Sequence, residues 1–179
     1  MPAPSKTNWS ALKKELINSD AKELIKLVGD LYRLSEENRL FLHTRHTPDD
    51  DQLDHYKKVI YGAIVDAIET GNPRYAEAKK AISRYAKAID NPAGEAELQI
   101  YYVECGNKVA LQYGDINERF YDAMVHMYDN ACTTVLESFE PEDASPFMKR
   151  LQTIYAETDM LGWGYHDGLV GTYYNHFHE

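Results

Sequence analysis

The chain has only two cysteines, Cys105 and Cys132, and they form no C-x-x-C pair. A disulfide framework and a thiol redox motif are therefore not expected, and each thiol reads as a small apolar filler. No uninterrupted apolar run approaches the roughly 20 residues needed to span a bilayer. The opening Met-Pro-Ala-Pro-Ser-Lys lacks the apolar stretch of a signal peptide. A soluble, cytoplasmic protein is the expectation. Positive charge is scarce: 19 Lys and Arg stand against 29 Asp and Glu, a net charge of -10. Such a surface repels polyanions, which argues against a general nucleic-acid role and against binding to an anionic membrane.

Motifs of known chemistry are missing too. There is no G-x-x-x-x-G-K-[ST], no G-x-G-x-x-G after a strand and no G-x-S-x-G. Neither H-E-x-x-H nor the paired Glu-x-x-His pattern of di-iron bundles occurs. No cofactor is expected.

What is present is helical periodicity over nearly the whole length. Hydrophobic residues make up 44% of the 179 residues, enough to build a core without disulfide or metal. Trp9, Leu12 and Leu16 form a first stripe. Ser19 or Asp20 caps a second helix, with Glu23 at capping-box distance, and Leu24, Leu27, Val28 and Leu31 line its face. Ser35 caps a third, carrying Leu40 and Phe41, which stops before Pro48. A fourth begins in Asp49-Asp50-Asp51 and runs from Leu53 to Ile68 before Gly71.

Asn72-Pro73 predicts the start of a fifth helix, Tyr75 to Ile89, and Asn91-Pro92-Ala93-Gly94 reads as a breaker. The sixth carries Leu98, Tyr101, Tyr102, Cys105 and Val109 and ends at Gly114. Asp115 caps the seventh, Phe120 to Val135. Glu140 to Asp143 reads as a loop, with Ser145-Pro146 opening an eighth helix. A last helix follows Gly162-Trp163-Gly164. No strand pattern and no long linker appear. The expectation is one all-α domain over residues 1–179, with eight or nine helices in stacked antiparallel hairpins.

Candidate sites are few. Asp122, His126 and Asp129 share one helical face, and His166 and Asp167 follow the tryptophan turn. His126 and His166 are the first choices should a metal bind, although solvated helix faces routinely collect such residues. Glu104 lies among apolar positions and reads as a rim residue bonded to a tyrosine hydroxyl. The basic face of the fifth helix (Arg74, Lys79, Lys80, Arg84, Lys87) reads as ordinary solvated surface. The 14 tyrosines against 5 phenylalanines suit wet helix rims and binding surfaces alike. The densest aromatic group is Tyr155, Trp163, Tyr165, Tyr173, Tyr174 and Phe177. It reads first as the packing that docks the final helix.

Three segments carry a family likeness. They are Tyr101-Tyr102-Val103-Glu104-Cys105-Gly106, Tyr113-Gly114-Asp115-Ile116 with Phe120-Tyr121, and Gly162-Trp163-Gly164-Tyr165-His166-Asp167 with Tyr173-Tyr174. With the stretch from Leu24 to Arg45, they resemble a bacterial family catalogued as domain of unknown function 6155. The resemblance implies an all-helical domain and no known reaction. It directs attention to Tyr102, Glu104, Tyr113, Asp115, Trp163, His166 and Asp167 as binding residues.

The function expected from sequence is a protein- or peptide-interaction module without catalytic activity, compatible with homodimerisation. One alternative is a small-molecule- or metal-binding enzyme with a pocket near Glu104, Trp163 and His166. A further alternative is a toxin-neutralising immunity protein.

Overall fold

A computed structural model describes residues 8–46, 50–114, 116–162 and 164–177. Among the described residues the protein is all-helical, with no strand. It divides into two compact units, Met1–His46 and Thr47–Glu179.

The first unit holds α1 (Trp9–Ile17), α2 (Ala21–Leu34) and α3 (Glu36–His46). Asp20 caps α2 in a complete capping box. Its Oδ1 accepts from the Glu23 N–H at 2.8 Å, and Glu23 Oε2 accepts from the Asp20 N–H at 3.1 Å. Ser35 alone separates α2 from α3, and its Oγ accepts from the Asn38 N–H at 3.0 Å. Asn38 donates back to the Leu31 carbonyl at 2.8 Å. Tyr32 and His43 meet edge to face, 5.5 Å between ring centroids, which ties the hairpin together.

The second unit begins with α4 (Asp50–Tyr61), which runs on through a π-helical turn, Gly62–Asp66, into Ala67–Glu69. Then come α5 (Tyr75–Ala88), α6 (Pro92–Tyr113), α7 (Glu118–Ser138), α8 (Pro141–Ala156) and α9 (Tyr165–Phe177). The long α6 sits in the middle and packs against α4, α5, α7 and α8, while α9 lies on α7 and α8. That position explains why α6 buries residues all round, from Leu98 and Ile100 to Val103 and Val109, rather than along one stripe.

Several predicted starts move. Asn72-Pro73 does not open α5; the chain turns at Gly71, with φ 70°, and α5 begins at Tyr75. Asn91-Pro92, read as a breaker, is the true start signal. Asn91 Oδ1 accepts from the Gly94 N–H at 3.3 Å, and Pro92 occupies the first turn, where no N–H is needed. For α7 the cap is Asn117, whose Oδ1 accepts from the Phe120 N–H at 3.0 Å. Asp115, expected there, lies outside the described residues. Pro141 opens α8 and Pro146 lies inside it. Pro146 is solvent-exposed near the helix start, so the backbone acceptor it leaves unpaired can be solvated.

Two helical glycines mark close approaches. A Cβ at Gly94 would land on the Tyr85 hydroxyl and ring, and one at Gly106 on the Met124 sulfur. The Tyr85 ring is buried and rigid, whereas a methionine end can swing aside. Gly94→Ala should therefore cost about 1–2 kcal/mol, since overpacking outweighs the roughly 1 kcal/mol of helix propensity that alanine returns. Gly106→Ala should cost less. Urea midpoints of the two variants check the order.

Candidate functional site

The residues singled out by sequence fall into separate environments. Tyr102 is fully buried, and its hydroxyl has no hydrogen-bond partner among the described residues. Burial, and then the neighbouring Tyr75, push its pKa well above the ordinary tyrosine value. The Tyr75 hydroxyl is likewise buried, with no partner among the described residues. Glu104 is part of an ion network, and its partner is an arginine instead of the expected tyrosine hydroxyl. Arg150 on α8 grips both Glu104 oxygens at 2.9 Å and also donates to Glu97. Lys57 on α4 reaches the other Glu97 oxygen at 2.7 Å and lies over the Tyr101 ring. Burial alone would raise the Glu97 pKa. The bonds from Lys57 and Arg150 outweigh it and hold that carboxylate below its ordinary range. The network clamps α4, α6 and α8 together.

His166 is half-buried in α9. Its Nδ1 lies 3.1 Å from the Tyr155 carbonyl and 3.2 Å from the Thr158 hydroxyl, so it fastens α9 to the end of α8. Tyr165 beside it donates to Asn107 Oδ1 at 2.7 Å, deep between α9 and α6. Tyr173 packs on Tyr155 and accepts from Gln152 at 2.8 Å. These contacts match the docking role read for the aromatic group. Asp167 and Tyr113 are exposed, while Trp163 lies outside the described residues.

His126 lines a groove of about 530 Å³ between α7 and α9, together with Asp122 and Asp129. Asp129 is engaged by His176 Nε2 at 2.8 Å. Among the described residues no three His, Cys, Asp or Glu side chains are grouped so as to hold a metal. The structure thus gives His126 and His166 no common ligand set. Neither this groove nor a second one on the α5–α6–α7 face is lined by Glu104 or His166. Cys105 and Cys132 are buried, and burial pushes both thiols up to about 12, so neither is a thiolate at neutral pH.

The α2 face is the feature whose binding role the sequence did not single out. No residue of α1 or α2 is buried. Leu27, Val28 and Leu31 are 41–45% exposed, and Ile25 and Leu34 more than 70%. Of the stripe that predicted α2, Leu24 is half-buried and the other three residues are exposed. Charge is also divided unevenly. Residues 1–46 carry eight Lys and Arg against six Asp and Glu, whereas residues 47–179 carry 11 against 23. The acidity of the chain resides in the second unit.

Among the described residues no helix is long and apolar enough to cross a membrane. Compared with family models, curated proteins and solved structures, the chain matches none.

Proposed function

We propose that this chain is a protein-interaction module whose contact element is the apolar face of α2. The single observation that carries the reading is that Leu27, Val28, Leu31 and Leu34 recur at helical spacing and remain exposed. An exposed apolar stripe on a capped, well-formed helix is a recognised marker of a partner site. Leu27, Leu31 and Leu34 stand at i, i+4 and i+7, three of the anchor positions that the helix-in-groove mode uses. The polar side of α2 mixes Lys22, Lys26 and Arg33 with Glu23 and Asp30. Helices that lie on membranes carry mainly Lys and Arg there, so the mixture favours a protein groove over a lipid surface. The likeness to the uncharacterised helical family is compatible with this reading.

The test is a paired pull-down with the wild-type chain and a Leu27→Gln, Leu31→Gln double variant. The wild type should retain a defined partner that the variant binds at least about tenfold more weakly, as expected when central apolar anchors are removed. The melting temperature should stay nearly unchanged. A variant that melts much earlier would show the stripe to be internal packing. Equal retention of the same partner would refute α2 as the contact.

A further inference from the structure

A groove of about 390 Å³ runs along α5, α6 and α7, within the size range of roughly 300–1,000 Å³ typical of small-ligand sites. Its inner wall is apolar: Ile82 and Met127 are each 4% exposed. Gln99 lines it as well, only 6% exposed, and its Oε1 has no hydrogen-bond partner among the described residues. Its orientation follows from its neighbour. Gln99 Nε2 donates to Glu95 Oε1 at 3.4 Å. Turning the amide over would set its oxygen against the carboxylate, so the oxygen is held away from Glu95. Buried polar atoms are nearly always paired, and this acceptor at the groove wall keeps a bonding capacity that no described protein group fills.

The groove carries one side-chain charge of each sign. Lys79 stands on α5 and Glu95 on α6, and among the described residues no ion pair ties them. Asn130 and Thr133 extend the polar lining from α7. A simple amine would satisfy Glu95 and Gln99 but be repelled by Lys79. A simple carboxylate would satisfy Lys79 but leave Gln99 Oε1 unpaired and face Glu95. A neutral polyol would leave both charges unopposed.

We propose that this groove binds a small zwitterion of the α-amino acid class. Its ammonium group would sit between the Glu95 carboxylate and Gln99 Oε1, its carboxylate toward Lys79, and an apolar side chain against Ile82 and Met127. The site lies in the second unit and goes beyond the α2 reading; either can fail without the other.

The decisive measurement is calorimetric titration of the full chain with free leucine and methionine, beside isoamylamine and 4-methylpentanoate, which are leucine without its carboxylate and without its amino group. An amino acid should bind saturably, and each analogue at least about tenfold more weakly. Gln99→Met keeps the side-chain length and removes the acceptor. It should abolish binding while leaving the melting temperature equal or higher. Lys79→Met, at a half-buried position, should weaken binding of the amino acid while sparing the amine. Absence of saturable binding by both leucine and methionine would overturn the proposal. So would an amine that binds as tightly as the amino acid, or binding that survives in both variants. If Gln99→Met does not fold, unchanged amino acid affinity in Lys79→Met would be enough to overturn it.

Discussion

Replacing Tyr165 with alanine should cost about 3–5 kcal/mol of stability, the range for deleting a buried aromatic. The ring is 1% exposed and lies 4.9 Å from that of Tyr121, measured between centroids. Its hydroxyl donates to Asn107 Oδ1 at 2.7 Å, and Asn107 Nδ2 donates in turn to the Ile154 carbonyl at 2.8 Å. One side chain on α6 thereby holds both α8 and α9. Asn107 is 2% exposed, so water cannot readily replace a lost partner. Tyr165→Phe should accordingly cost about 1–2 kcal/mol, although it removes a single oxygen, because the Asn107 acceptor is left unpaired. Combining Tyr165→Phe with Asn107→Leu should cost less than the sum of the two. Urea unfolding of the set reads all three values, and a Tyr165→Ala loss below about 1 kcal/mol would contradict the contact.

The second large effect is expected at Arg150. Arg150→Met keeps much of the aliphatic packing and removes the cation that serves Glu97 and Glu104. Breaking a fully buried pair costs roughly 3–5 kcal/mol. Here Arg150 and Glu104 are about a third exposed, at 33% and 35%, so solvent screening reduces the expectation to about 2–3 kcal/mol.

The pH dependence has a definite sign. Glu97 has its pKa lowered in the folded chain from the ordinary 4.5. Its contribution is therefore fully present above 4.5 and is lost as pH falls toward and through the depressed folded value. In Arg150→Met, Glu97 loses one of the two cations that hold it charged and keeps only Lys57. The gap between wild type and variant should thus be widest at neutral pH and shrink in acid. A gap that stays constant from neutral pH into the carboxylate range would mean that Arg150 acts by packing alone.

The fold was largely legible because the apolar spacing is strong and most helix ends carry local chemistry. Asp20 with Glu23, Ser35, Gly71 and Gly114 all work as their side chains or freedom at positive φ suggest. The errors came where two signals look the same. Asn72-Pro73 and Asn91-Pro92 are identical dipeptides, yet only the second caps a helix. After Asn72 the Arg74 N–H bonds the Ala63 carbonyl at 2.8 Å, a partner more than ten residues back that no local rule identifies.

The candidate sites were less legible. Glu104 was visible as a carboxylate among apolar neighbours, but Arg150 lies 46 residues away. Gln99 carried no signal at all, since only tertiary packing shows that its oxygen is buried and unpaired. On α2 the stripe was plain, but spacing reports which residues share a face, and it is silent on whether anything covers that face.

The π-helical turn at Gly62–Asp66 gives the second unit a phase shift. An α-helix advances about 100° per residue, so one surplus residue rotates everything beyond it by about that angle. Three consecutive residues, Ala63, Ile64 and Val65, can then be buried together, and the loosened carbonyls of Gly62 and Ala63 are both taken up by Arg74. At this point the number of residues matters as much as their identity. A one-residue deletion would mend the coil and aim α5 in the wrong direction, a fault that no repacking of side chains could undo.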